Sequence, residues 1–204
     1  MKIILASASP RRQELIKMIT ENIIVNPCDC DETIKDGLVG REIAEYLSKI
    51  KGEVVRPQFP NEIIVSADTI VCLNDKVLGK PKSREDAFSM LRTLSGNTHS
   101  VFTGVTIIKG DNEKTFSQET KVTFYELSDE EIYEYIDSGE VYDKAGKRIG
   151  YTDTKGYEWA DKCGGYAIQG KSGAFIKSIE GDYFNVMGLP VSRLYCELKK
   201  LELI

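Results

Sequence analysis

The sequence predicts an α/β fold with a mixed sheet, on three observations. Apolar runs of strand length alternate with amphipathic helical stretches from residue 2 to residue 94, the order of a parallel α/β layer. Two Val-, Thr-, Phe- and Ile-rich runs, 98–108 and 114–125, flank a Lys109-Gly110-Asp111-Asn112 turn and add an antiparallel hairpin. Serines that suit helix caps, Ser9, Ser83 and Ser128, stand where the helical periods begin.

Taken in order, 2–6 reads as a buried strand, and 9–20 as a helix with Ser9 as N-cap and Pro10 at the first helical position. A strand near 22–26 precedes a helix over 40–51, which sets Ile43, Leu47 and Ile50 on one face. Ile63-Ile64-Val65-Ser66-Ala67 gives a strand over 62–67 ending at Asp68, followed by a short hairpin across Asn74-Asp75. Ser83-Arg84-Glu85-Asp86 opens a helix over 83–94 with Ala87, Met90, Leu91 and Leu94 as its stripe, and Ser128-Asp129-Glu130-Glu131 is a capping box for 128–137. Residues 165–180 read as a hairpin across Gly170-Lys171-Ser172-Gly173, and a last helix after Gly188-Leu189-Pro190 aligns Leu194, Leu198 and Leu201. The exception is 139–165, which has no sustained period and contains two related tetrads, Asp143-Lys144-Ala145-Gly146 and Asp161-Lys162-Cys163-Gly164. It reads as a local duplication or insertion, either a functional loop or a tolerated surface excursion.

At 204 residues the chain is one large domain or two small lobes around a shared cleft. A net charge of −5 argues against a general nucleic-acid or membrane-surface binder, so any polyanion site must be local. Ile3 to Ala6 is too short for a signal-peptide core, and no segment reaches spanning length, so the expected location is the cytoplasm. Five scattered cysteines fit reduced thiols. Cys28-Asp29-Cys30 is too close-spaced for a standard zinc half-site, and the single histidine, His99, weakens any Ser-His-Asp or metal-histidine scheme.

Three local features suggest phosphate chemistry. Arg11 and Arg12 put like charge at the positive end of the first helix, at a cost of roughly 0.3–1 kcal/mol each. They are either solvated or there to grip a phosphate group. Asp68, beside Thr69, ends a buried strand where α/β sheets bind ligands, and Gly79-Lys80-Pro81 presents a lysine at a rigid turn. A carboxylate of this kind holds a divalent ion or takes a proton from water, while cations offset phosphoryl charge; capping and turn roles are the plainer alternatives. Gly165 to Ser172 satisfies the expression G-x-x-x-x-G-K-[ST], but neither a preceding strand nor a following helix is expected there.

Six ordered segments carry a resemblance. They are Leu5-Ala6-Ser7-Ala8-Ser9-Pro10-Arg11-Arg12-Gln13-Glu14-Leu15, Ser66-Ala67-Asp68-Thr69-Ile70-Val71, Leu78-Gly79-Lys80-Pro81, Leu94-Ser95-Gly96 through His99 to Thr103-Gly104-Val105, Gly165-Tyr166-Ala167-Ile168-Gln169-Gly170, and Gly181-Asp182-Tyr183 through Asn185-Val186-Met187-Gly188-Leu189-Pro190. Together they resemble the Maf family of nucleoside triphosphate pyrophosphatases. The resemblance implies one Maf-like domain over 1–204, an elongated mixed-sheet fold like that of the inosine triphosphatases with two lobes around a central cleft. It implies hydrolysis between the α and β phosphates, with a divalent cation (Mg, Mn or Co), and suggests a homodimer. By position, Asp68 matches the proton acceptor, Arg11, Thr69 and Gln169 the base-selecting residues, and Ser7, Arg12, Lys51 and Lys80 the phosphate end; Glu32, with Asp68, is the candidate metal ligand. The Thr69 and Gln169 pairing resembles the branch acting on dTTP and UTP, and a glutamine amide suits the imide edge of uracil or thymine. The family name is also tied to inhibition of septum formation, so a nucleotide-binding regulator with little turnover is the alternative. The second tetrad, 161–164, matches the family position, leaving about 141–160 as an extra loop.

Overall fold

The computed structural model describes residues 2–138 and 162–204. The expected extra loop 141–160, the first tetrad and Asp161 lie outside the described residues. The chain forms two compact units, Met1–Ile70 with Val101–Thr120 and Gly181–Ile204, and Val71–Ser100 with Lys121–Glu180. Among the described residues a seven-stranded mixed sheet runs in the order β2 (Ile23–Val25), β1 (Ile3–Leu5), β3 (Ile63–Leu73), β5 (Thr98–Lys109), β6 (Asn112–Phe124) and β7 (Ile176–Glu180), with β4 (Lys76–Leu78) on β3.

In the first unit, β1 (Ile3–Leu5) lies parallel to β2 (Ile23–Val25) and β3 (Ile63–Leu73), with Ile3 opposite Ile23 and Ile63. Its three side chains are fully buried, as expected of a parallel strand covered on both faces. Between β1 and β2, α1 is shorter than the period suggested, Pro10–Ile16, because the chain leaves the helix after Leu15 and Ile16 are buried. The α2 helix (Arg41–Val55) buries Ile43, Ala44, Leu47 and Val55, and Val55 packs with Ile4, Ala6, Ile64 and Ile108. A short 3-10 turn, Arg56–Gln58, follows it.

The height of α2 above the sheet is set by small and polar groups. At Gly104, in β5 (Thr98–Lys109), a Cβ would stand 2.1 Å from the Ala44 carbonyl oxygen, so only glycine allows this approach. Ser66 Oγ donates to the Ser48 carbonyl at 2.6 Å, and the Ser48 and Thr106 hydroxyls bond at 2.9 Å. Those bonds fix the helix turn that carries Lys51. The β5–β6 hairpin (β6, Asn112–Phe124) closes at Gly110 and Asp111 as expected. Near the C-terminus, the one-turn α5 (Tyr183–Met187) is capped by Asp182 and ends in Gly188 at φ 113°, a left-handed position that suits glycine. The final α6 (Val191–Lys200) buries Leu194 and Leu198. Leu201 falls beyond its end and is 39% exposed, so the predicted stripe is one residue too long.

In the second unit, β4 (Lys76–Leu78) returns against β3 through Asn74 and Asp75, both at positive φ as a tight hairpin turn requires. Ser83 caps α3 (Arg84–Leu94) by accepting from Asp86 N–H, and α4 (Asp129–Asp137) carries the predicted capping box from Ser128 to Glu131. The two helices are joined by Phe88 stacked on Tyr133 at 4.5 Å and by a bidentate Arg84–Asp137 pair. The hairpin expected over 165–180 does not form. Only β7 (Ile176–Glu180) is a strand, antiparallel to β6, and it is preceded by 3-10 turns at Cys163–Gly165 and Lys171–Phe175. The physical reason is that Gly164 and Gly165 both take φ 74°, which breaks extension before Tyr166, and Ser172 then folds back on Ala167. Among the described residues no helix is long and apolar enough to cross a membrane.

Candidate active site

Asp68 does not end its strand, as the sequence suggested, but sits within β3, which continues to Leu73. A buried carboxylate in mid-strand needs a counter-charge, and α2 provides one: Lys51 Nζ makes a short ion pair with Asp68 Oδ1. Both side chains are only 12% exposed. The same ammonium lies 3.1 Å from Glu32 Oε1, at the solvent side. Burial works against the charge on Lys51, but Asp68 outweighs it and, with help from Glu32 and against Arg12, holds the lysine pKa above its ordinary value. Glu32, Lys51 and Asp68, far apart in sequence, are therefore one electrostatic cluster.

A second group forms around Arg12. Its Nε donates to the Gly188 carbonyl at 2.8 Å, Nη2 to Thr69 Oγ1 at 3.0 Å and Nη1 to Ser7 Oγ at 3.4 Å. Thr103 donates its hydroxyl proton to the Asn185 carbonyl at 2.9 Å, so the 2.9 Å bond between the two threonines is donated by Thr69. The predicted residues Ser7, Arg12 and Thr69 are thus brought together, and Thr69 supports the arginine whatever else it touches. Ser9 stands at the N-cap of α1 but makes no side-chain cap bond; its own N–H donates to Ser7 Oγ at 3.2 Å. Arg11 is half-buried in the first turn, which contains no acidic residue.

Sequence reasoning gave no role to Thr103, Asn185 or Gly188, which form the support of Arg12. Their signal was present in the quoted Thr103-Gly104 and Asn185-to-Pro190 segments, but without any chemistry to assign. Asn185 is fully buried, and its amide donates to the Val101 carbonyl and to Thr120 Oγ1, tying the C-terminal segment down.

In the second unit, Lys80 is exposed beyond β4 and Gln169 is exposed between the two 3-10 turns. The P-loop resemblance of 165–172 ends here. Among the described residues no strand leads into Gly165 and no α-helix follows Ser172, and the Ser172 hydroxyl is buried against the backbone of Ala167 rather than open to a phosphate-bound cation. His99 is likewise committed, its Nε2 lying 2.7 Å from the Tyr166 hydroxyl, with burial bringing its pKa down to about 4. It is not the base of a Ser-His-Asp triad.

Two further features bear on nucleophilic and metal chemistry. Cys28 and Cys30 bring their sulfurs to 4.0 Å, but burial and Cys28 push the Cys30 thiol up to about 11, far from a resting thiolate nucleophile. Among the described residues no three His, Cys, Asp or Glu side chains gather as a closed metal site. Glu32 and Asp68 remain as two hard oxygen donors sharing one ammonium. That set suits a divalent ion which keeps waters and takes its remaining ligands from a phosphate substrate.

Known proteins resemble this chain over nearly its whole length. Two proteins are each matched over 98% of this chain and 98% of their own length: one from Carboxydothermus hydrogenoformans, 46% identical over 202 residues, and one from a Geobacillus species, 40% identical over 200. A third, from Bacteroides thetaiotaomicron, is 43% identical over 203 residues, covering 98% of this chain and 96% of that protein. All three are named dTTP/UTP pyrophosphatase. The Ham1 proteins of Staphylococcus aureus and Coxiella burnetii share the fold, each at TM-score 0.54 with 16% and 12% identity, over 98% of this chain and 99% of theirs. The family described as Maf-like protein matches residues 2–152 and 148–201, in two pieces that meet inside the segment with the doubled tetrads. With those matches spanning nearly the whole sequence, the chain belongs to the Maf family.

Proposed function

We propose that this chain hydrolyses dTTP and UTP between the α and β phosphates, releasing the nucleoside monophosphate and pyrophosphate. The observation that carries the reading is Asp68, a nearly buried carboxylate paired with Lys51 in a cluster shared with Glu32. Asp68 accepts a proton from the attacking water, whose oxygen bonds to the α phosphorus as the bridge to the β phosphate breaks and pyrophosphate leaves. Lys51 orients the carboxylate and, with Arg11, Arg12 and Lys80, offsets charge on the phosphoryl oxygens; Ser7 adds a hydroxyl. A divalent cation, Mg, Mn or Co, would be held by Glu32 and Asp68 and would supply charge neutralisation on the phosphates. Arg11, Thr69 and Gln169 select the base, the Gln169 amide offering the donor and acceptor that a uracil or thymine imide needs. We take the enzyme to work in the cytoplasm as a homodimer, with a nucleotide as substrate and neither nucleic acid nor membrane as partner.

The test is Asp68→Asn, assayed for pyrophosphate release from dTTP with each cation. Turnover should fall by roughly 10²–10⁴, the usual contribution of a positioned base, while calorimetry still detects nucleotide binding. Undiminished pyrophosphate release would remove Asp68 from the reaction, and orthophosphate as the product would refute α–β cleavage.

A further inference from the structure

We propose that Ser172, together with Tyr166, positions Gln169, so that the P-loop-like serine governs base selection without touching the nucleotide. The proposal rests on the base-reading role given to Gln169 above. Ser172 is fully buried, and its hydroxyl grips both backbone groups of one residue, donating to the Ala167 carbonyl and accepting from the Ala167 N–H, each at 2.9 Å. The Gly170 N–H reaches the same carbonyl at 2.9 Å and closes a β-turn from Ala167 to Gly170. Ile168 and Gln169 are its two corner residues, and Gln169 is exposed. An exposed corner side chain has little packing to aim it. Its direction therefore follows from the backbone of the turn.

The turn is anchored on its other side by Tyr166, next to Ala167. The Tyr166 ring is buried edge-on to His99 and Phe124, with centroids at 5.3 and 4.9 Å, and its hydroxyl meets His99 Nε2. Just before it, the Tyr135 hydroxyl donates to the Gly165 carbonyl at 3.3 Å. A rigid base thus carries a solvent-facing amide, which is how a turn presents a specificity group. Without the Ser172 hydroxyl, the buried Ala167 N–H loses this acceptor, and relief of that orphaned donor re-aims the turn.

The experiment compares kcat/KM for UTP with that for CTP, whose amino group replaces the imide pattern, in Ser172→Ala, Gln169→Ala, the double variant and Ser172→Thr. Ser172→Ala is expected to lower the UTP/CTP ratio roughly tenfold, mainly through the KM for UTP, the scale of one lost hydrogen bond. Ser172→Thr, which keeps the hydroxyl, should restore the ratio, and the double variant should fall no further than Gln169→Ala. A merely structural serine would depress both nucleotides alike, leave the ratio unchanged and overturn the proposal. If the ratio collapses in Gln169→Ala but not in folded Ser172→Ala, positioning fails and base reading stands; a wild-type ratio in Gln169→Ala defeats both. Should Ser172→Ala not fold, Tyr166→Phe decides in its place, a lowered ratio supporting the proposal and an unchanged one overturning it.

Discussion

Replacing Lys51 by methionine would leave the Asp68 carboxylate in a site where only 12% of its side chain meets solvent, with no ammonium beside it. Removing one partner of a buried ion pair costs about 3–5 kcal/mol, chiefly because the other charge stays behind uncompensated. The second bridge, to Glu32, adds less than about 1 kcal/mol, since that side chain is 54% exposed and well screened. In a chain of this length each kcal/mol moves the melting temperature by about 2–4 °C, so Lys51→Met should melt roughly 6–20 °C below the wild type by circular dichroism. Adding Asp68→Asn removes the stranded charge, and the double variant should recover most of the loss, a coupling of at least about 2 kcal/mol. The pH dependence has a definite sign. Because the folded lysine pKa is raised, the stability from Lys51 is complete below the unfolded value of about 10.4 and is lost as pH climbs through the folded value. That alkaline decline should be missing from Lys51→Met. A melting change below about 2 °C, or strictly additive losses in the double variant, would refute the cluster as described.

Burial brings the His99 pKa down to about 4, so the fold favours the neutral ring. The stability this confers is complete above pH 6.5 and is lost as pH falls toward 4, by about 3 kcal/mol in all. His99→Gln should flatten that acid limb in urea unfolding across pH 7 to 4.5, and a limb as steep as the wild type's would count against it. Gly104→Ala drives a methyl into the α2 backbone at 2.1 Å and should cost about 3 kcal/mol or more in urea, whereas Gly79→Ala, with nothing within 4 Å, should stay within about 0.5. Equal stabilities for the two would dismiss the close approach of α2 to β5.

Much of the fold was legible because local chemistry and global position agree. Ser83 and Ser128 cap helices where their sequences promise, Asn74-Asp75 turns a hairpin, and the unbroken apolar run of β1 is buried on both faces. The failures share a cause. Strand propensity around Tyr166 to Gln169 lost to a hydroxyl five residues on, and Asp68 looked like a strand end because its neutraliser lies in a separate helix.

Within the site the same division holds. Residue types and order along the chain were enough to identify the family, since an Asp, a Gln, paired arginines and lysines in six ordered segments are a one-dimensional pattern. That Glu32, Lys51 and Asp68 form one charge cluster, that Arg12 rests on Gly188 and Thr69, and that Ser172 serves a turn rather than a phosphate was decided only in three dimensions. Ion pairing and hydrogen bonding act over a few ångströms through space, and chain separation carries no record of which groups packing will bring that close.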